Sequence, residues 1–367
     1  MQKFSPGAVV FVALSGGVDS ALAAHLLLRA GAEVRAVFMK NWRDGDDDSG
    51  CGDKEDLFAA AAAADTLGAE LLVADFAAEY RERVFAPFLR ALRAGLTPNP
   101  DVYCNSEIKF AAFRRYARAR GADFVATGHY ARTRRADGGE WRLLKGEDSA
   151  KDQSYFLHRL SRGQLADSLF PLGAMHKADV REAARAAGLR NWSRRESMGI
   201  CFIGARKFDS FLEGYIPQTP GEIRTPEGEI VGAHRGLAFY TMGQRRGLHI
   251  GGAGDAWFVV GKRRRENILV AARGANHPLL YSSRVRFANA RWIAGNPPPA
   301  RRVYEARLRH RHSPASCVLT RADDEGGEIV FAAPQRAAAP GQFAVVYDGN
   351  VCLGGGEIIA ESDDAAE

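Results

Sequence analysis

None of the five cysteines (Cys51, Cys104, Cys201, Cys317, Cys352) stands in C-x-x-C spacing with another. That excludes a zinc knuckle and a thioredoxin-like redox pair. In a reducing compartment each scattered thiol reads by default as a small buried hydrophobe, and any chemical role must come from its neighbours. No apolar run is long enough to span a bilayer, and MQKFSPG runs into a strand with no signal-peptide hydrophobic region. The expectation is a cytoplasmic protein with no membrane partner. Internal repeats and extended low-complexity tracts are absent. So is the Walker pattern G-x-x-x-x-G-K-[ST], and with it a loop lysine over the terminal phosphates of a nucleotide.

What is there is a chain of 367 residues, 46% apolar and 26% charged, long enough for two or three domains with real cores. The net charge of +6 is unevenly spread: Arg284 to Arg311 holds eight arginines and one acidic residue, Glu305. Charge alone fits a solvated arginine-rich surface; it also fits a nucleic-acid footprint, in which neutralised phosphates release counterions.

Strand and helix signals alternate over the first two hundred residues. VVFVAL (9–14), VRAVFMKNW (34–42), AELLVADF (69–76) and DFVATGHYA (123–131) read as strands. Helical segments lie between them, one ended by Gly31, others over 59–67 and 80–93. The alternation predicts an α/β fold with a parallel sheet covered by helices. Beyond residue 205 helical periodicity fades. GEIRTPEGEIVG, AWFVVGKR and NILVAAR form a small mainly-β stretch, and six short alternating segments from about 280 to 360 predict a small barrel or sandwich. Expected domains are 1–204, 205–276 and 277–363. Cys317 and Cys352 fall in the last β segments and read as core.

Ligands of parallel sheets bind beyond the carboxyl ends of the strands. Ser15-Gly16-Gly17-Val18-Asp19-Ser20 lies there, between a buried strand and a helix. Its glycines let the backbone close on an oxyanion, its serines offer hydroxyls, and the helix presents its positive end. Asp19 could also be a helix cap. The hexapeptide resembles the PP-loop of ATP pyrophosphatases, which split ATP between the α and β phosphates. VFMKNW, TPNPDVYCN, ATGHYAR, KDQSYFL, GICFIG, TMGQRRGLHIGG and PGQFAVVYDG extend the likeness over essentially the whole chain, in the order and spacing of bacterial tRNA-specific 2-thiouridylases. The resemblance implies a Rossmann-like PP-loop domain, a small central β domain and a C-terminal β-barrel. It implies adenylylation of a wobble uridine at O2 and replacement of that oxygen by sulfur. ATP would be bound by Ala13, Leu14, Ser15, Gly16, Gly17, Val18, Asp19, Ser20, Met39 and Gly128, with Mg2+ riding on the phosphates rather than on the acidic DGDDD loop.

The chemistry asks for what the sequence offers. Oxide is a poor leaving group and AMP a good one, which explains an ATP site; a soft sulfur nucleophile is then needed. Cys201 sits in MGICFIG below Arg194 and Arg195. Cys104 follows TPNPD and opens a helical pattern, where a thiolate is stabilised. By resemblance Cys201 carries the persulfide, and Cys104 completes transfer and leaves a Cys104–Cys201 disulfide. Asp101 looks like the general acid/base, although a turn residue after Pro100 would also satisfy its position. Cys51 is given no catalytic role.

The resemblance assigns Asn99, Pro100 and Asp101 to the flipped target base, and Lys151, Asp152 and Gln153 to the anticodon region. Arg309, His310 and Gln342 match further tRNA-contacting positions of the family, and His129 could contact RNA or catalyse, with RNA the expectation. His310 departs from the tyrosine expected there, though imidazole can still stack on a base. The implied partners are tRNAs for Lys, Glu and Gln, and a cysteine desulfurase or sulfur-relay protein. Amide-forming synthetases and tRNA lysidine synthetase share the loop but need an amine donor and no cysteine pair, and iron–sulfur tRNA thiolases display the missing C-x-x-C. A non-catalytic RNA-binding protein with a relic nucleotide fold is opposed by an intact SGGVDS beside two contextual cysteines.

Overall fold

The computed structural model describes residues 4–42, 51–194 and 208–360. Cys201, Arg195 and the DGDDD run lie outside them, as does the side chain of Cys51.

Alternating β-branched and aromatic runs form Val9–Ala13 (β1), Glu33–Lys40 (β2), Glu70–Asp75 (β3) and Phe124–Ala126 (β4). The sequence suggests one strand over 123–131, but β4 stops at Ala126. The chain leaves the sheet at Thr127–Tyr130 and re-enters regular structure as a hairpin, Ala131–Arg135 (β5) and Trp141–Lys145 (β6). A two-residue strand, Ser168–Leu169 (β7), completes the parallel sheet in the order β3-β2-β1-β4-β7. Winding runs outward from β1 in both directions, so β1 and β4 flank the point where the strand order reverses. Beyond their carboxyl ends lies the crevice in which such folds hold ligands. Helix Val18–Arg29 (α1) follows β1 and helix Cys51–Leu67 (α2) follows β2. Val10, Phe11 and Val12 are fully buried between the helical layers.

Gly221–Arg224 (β8), Ile230–His234 (β9), Trp257–Arg263 (β10) and Ile268–Arg273 (β11) make a separate sheet in the order β10-β11-β8-β9. Six longer strands follow: Tyr281–Trp292 (β12), Arg302–Arg307 (β13), Ala315–Ala322 (β14), Gly326–Arg336 (β15), Phe343–Asp348 (β16) and Val351–Ile358 (β17). They pair in the order β12-β15-β14-β13-β16-β17, and β12 also pairs with the later residues of β17, so the six strands close into a barrel. Cys317 and Cys352 are buried in it, and burial pushes the Cys317 thiol up to about 12.

The hairpin β5–β6 leaves the first domain and adds to the barrel, with Val351 and Cys352 of β17 opposite Leu144 and Leu143 of β6. Next to it the segment KDQSYFL is sandwiched between the domains. Tyr155 donates its hydroxyl to the Phe343 carbonyl at 3.1 Å, and Ser154 bonds the Tyr347 hydroxyl at 3.3 Å. The barrel is therefore built onto the nucleotide-type domain by hydrogen bonds and strand pairing.

Candidate active site

SGGVDS occupies the turn from β1 to α1. Gly16 has φ +78°, and a Cβ there would lie 2.5 Å from the Asp56 carbonyl oxygen and 2.9 Å from Arg194 Nη1. Only glycine fits that backbone and that space. Gly17 is different: its φ is −78° and the nearest atom to an added Cβ is Ser15 Oγ at 3.5 Å, so crowding arises at Gly16 rather than at Gly17. Ser20 Oγ accepts from the Ser15 amide at 3.2 Å, lies 3.2 Å from Ser15 Oγ and donates to the Gly17 carbonyl at 3.0 Å. These bonds fix the loop before any ligand arrives. The first turn of α1 carries no side-chain cap, which leaves amides and the helix dipole facing outward, a ready anion site. Asp19 is not the cap. Its carboxylate is taken by Lys177 and by the Tyr130 hydroxyl, which donates to Oδ1 at 2.8 Å.

Gly128, after β4, lies against the same helix start. A Cβ there would meet the Asp19 carbonyl carbon at 2.7 Å and the Ser20 amide at 2.8 Å. Its missing side chain serves the approach of TGHY to α1. Met39, the penultimate residue of β2, is half-buried against the main core, opposite Ala74. Ala13, Leu14 and Val18 are buried supports of the loop.

TPNPDVYCN begins a helix. Asn99 is the extended N-cap, Pro100 takes the first helical position, and Pro100–Tyr103 leads into a π-helical stretch, Cys104–Ala112. Pro suits that place because its missing amide would be unpaired anyway. The wider π turn starts at Cys104, whose side chain is 1% exposed. Lys109, further along, acts electrostatically on two groups. Burial pushes the Asp101 carboxyl above its usual range, with Lys109 opposing. Burial, with Lys109 adding to it, holds His129 well below the usual imidazole range. His129 is buried, its Nδ1 2.8 Å from Thr127 Oγ1, and its ring packs near Phe110 and Phe170. The helical stretch that follows Asp101 and the TGHY turn thus pack together through Phe110 and His129.

The barrel grips the same segment. The Thr97 amide donates to the Pro340 carbonyl and Gln342 Nε2 to the Thr97 carbonyl, each at 2.8 Å. Tyr103, next to Cys104, donates its hydroxyl to Glu357 of β17 and lies under Arg159.

Of the residues around KDQ, Asp152 is buried while Lys151 and Gln153 are half-buried. Asp152 is buried and ion-paired with Arg307, and its oxygens also accept from the Gly146 and Ser154 amides, so its carboxylate is not presented to a ligand. Gln153 Oε1 accepts from the Tyr130 amide at 3.0 Å, and Lys151 is half-buried beside them. His310 packs its ring on Phe156 at 4.5 Å and bonds the Asp152 carbonyl through Nε2 at 3.0 Å; that ring face is spent inside the protein. Arg309 Nη2 donates to the Met242 and Ala337 carbonyls, tying the central domain to the barrel. In the arginine-rich stretch Arg284 and Arg302 likewise pair with Glu328 and Asp348.

Sequence reasoning passed over Lys177, Asn191, Lys109 and Arg307, and read Arg194 only as a neighbour of Cys201. Asn191 Nδ2 and Arg194 Nη1 donate to the Gly16 carbonyl at 2.9 and 3.2 Å, and Arg194 also pairs with Asp56 at 2.7 Å. The lack of a lysine within SGGVDS was the one sequence signal that a cation must come from elsewhere.

A glycine-rich anion loop at the reversal point of a parallel sheet, with two β domains appended, defines a nucleotide-using HUP-type enzyme. Residues 8–205 match the family profile described as tRNA methyl transferase HUP domain. Residues 209–273 match its PRC-barrel domain, and 282–358 match the aminomethyltransferase beta-barrel domain. The chain is 52% identical over 353 residues to the tRNA-specific 2-thiouridylase MnmA of Methylobacillus flagellatus, covering 95% of this chain and 98% of that one. The Cupriavidus metallidurans protein of the same name is 51% identical, with 96% and 99% covered. An NMN synthetase structure from Francisella tularensis aligns at 18% identity and TM-score 0.35 over 57% of this chain and 78% of that one, too remote to bear on the site. The chain belongs to the tRNA-specific 2-thiouridylase family, whose members are tRNA sulfurtransferases.

Proposed function

We propose that this enzyme converts the wobble uridine of tRNAs for Lys, Glu and Gln to 2-thiouridine, in the cytoplasm, in two steps. In the first, uridine O2 attacks the α-phosphorus of ATP, the bond to the β-phosphate oxygen breaks and pyrophosphate leaves. SGGVDS holds the pyrophosphate half: the Ser15 hydroxyl and the open first turn of α1 face the charge that develops, and Ser20, whose hydroxyl donates to the Gly17 carbonyl, braces the loop. Ala13 to Val18, Met39 and Gly128 frame the nucleotide. Mg2+ enters this reading as a companion of the ATP phosphates; among the described residues no cluster of three His, Cys, Asp or Glu side chains stands ready to hold an ion.

In the second step the outer sulfur of a Cys201 persulfide, loaded by a desulfurase or relay protein, attacks C2 and AMP departs with the old oxygen. The Cys104 thiolate then attacks Cys201 Sγ. The S–S bond to the transferred sulfur breaks, the C2 thiocarbonyl forms, and a Cys104–Cys201 disulfide remains for an external thiol to reduce. Asp101 handles the proton, a task suited to a carboxyl raised by burial beside Lys109. A wobble base reaches such a pocket only by leaving its stack. Asn99 and Pro100 wall the place where it enters, with His129 beside them. Lys151, Asp152, Gln153, Arg309, His310 and Gln342 act on the tRNA chiefly by holding the barrel, its arginine surface and TPNPD in one frame.

The observation that carries this reading is the packing of the TGHY turn on two segments at once, Gly128 against the start of α1 and His129 against Phe110 of the helical stretch that follows Asp101. It supports a reading in which an acid/base group on one segment and an anion cradle on another work at one sheet edge. Nucleoside mass spectrometry of tRNA from a strain lacking the gene should show 2-thiouridine gone from the wobble position. Unchanged 2-thiouridine would sink the reading.

A further inference from the structure

SGGVDS has no lysine of its own, yet the fold delivers one to it. Helix Lys177–Ala186 packs on α1 and begins where Asp148 Oδ2 accepts the Lys177 amide at 3.0 Å. From there the Lys177 side chain, 12% exposed, reaches both carboxylate oxygens of Asp19, with Nζ at 2.7 and 2.8 Å. Asp19 is the second residue of α1, and the Tyr130 hydroxyl shares its Oδ1. The ammonium also lies 5.6 Å from the Tyr130 ring centroid. It is thus fixed on a residue of the loop, at the first turn of α1, and largely stripped of water.

A purely architectural role explains this poorly. A carboxylate in the first turn of a helix is already favoured by the dipole. Drawing a lysine out of water to meet it returns little net stability, because desolvation offsets the attraction. A lysine pre-placed where phosphate charge accumulates gains much more, since no reorganisation is needed when that charge appears. Asp19 also puts a negative charge at the entrance of a site for a polyanion, and Lys177 cancels it.

We propose that Lys177 binds the β- and γ-phosphates of ATP, supplying the lysine that the loop itself lacks and neutralising pyrophosphate as it leaves. Asp19 and Tyr130 are positioning residues that aim it. The proposal rests on the reading of SGGVDS as the ATP loop.

The test is equilibrium calorimetry on the full chain with three probes: pyrophosphate, α,β-methylene-ATP and AMP. Lys177→Met should weaken pyrophosphate and the ATP analogue by at least about tenfold, the value of a charge-assisted contact, and leave AMP within about twofold. Lys177→Arg, which keeps the charge, should recover most of the loss. If Lys177→Met binds pyrophosphate as the parent does, the proposal fails. It also fails if all three probes weaken by the same factor and arginine does not rescue, because the pair then only shapes the loop. A parent chain that binds neither pyrophosphate nor the analogue overturns the reading of the loop itself, a result distinct from either.

Discussion

Asp152 and Arg307 meet at 2.7 Å with side chains 1% and 6% exposed, an ion pair buried between the first domain and the barrel. Removing Arg307 would strand a carboxylate in the interior. Arg307→Ala should cost about 3–5 kcal/mol of stability, whereas replacing both partners with apolar residues should recover much of it. Calorimetric unfolding of the single and double variants measures this, and an unchanged melting temperature for Arg307→Ala would show that the pair is not what holds the interface.

Gly16 and Gly17 should respond oppositely to the same small change. Gly16→Ala forces a side chain onto the Asp56 carbonyl and into a left-handed backbone, so AMP formation should fall by a hundredfold or more, of the order lost with an anion-site donor. Gly17→Ala has room and an ordinary φ, and should keep most activity. Equal losses at both positions would mean that the loop conformation described above is not the working one.

That contrast also marks how far the sequence could be read. Strands β1 to β3, the hexapeptide and the six barrel strands are written in local alternation and turn residues, so they were legible. The extent of β4 was not: TGHYA continues the apolar pattern, but Gly128 must press against Asp19 and Ser20, and the chain leaves the sheet to do so. Likewise nothing local says that β5–β6 pairs with β17 across two hundred residues. Lys177 and Arg194 reach the loop from 158 and 178 residues away, a proximity made only by tertiary packing. The pairing of Asp152 with Arg307 of another domain is hidden from local sequence for the same reason.

Asp101 should show a trade between stability and activity. Burial raises its carboxyl, so the folded chain keeps a proton at pH values where the unfolded chain has lost it. Its contribution is therefore most favourable at low pH and is lost as pH rises through the folded value. Asp101→Asn should raise the melting temperature at pH 7, by an increment that shrinks toward the ordinary carboxylate range, while lowering thiolation by about a hundredfold or more. A lower melting temperature at pH 7, or full activity, would contradict the assignment.

Cys201→Ser should separate the two half-reactions. Activation needs the loop and the uridine, whereas delivery needs the sulfur carrier. AMP-activated tRNA and pyrophosphate should still form in a folded variant while 2-thiouridine does not. Loss of both would mean that Cys201 is not confined to the sulfur step.

The most direct measurement is a reconstituted turnover with purified protein, wobble-uridine tRNA, ATP and a persulfide donor, in which nucleotide products and thionucleoside are counted together. One AMP and one pyrophosphate should appear for each 2-thiouridine, with no ADP. ADP and orthophosphate as the products, or 2-thiouridine formed without ATP, would contradict the account at its centre.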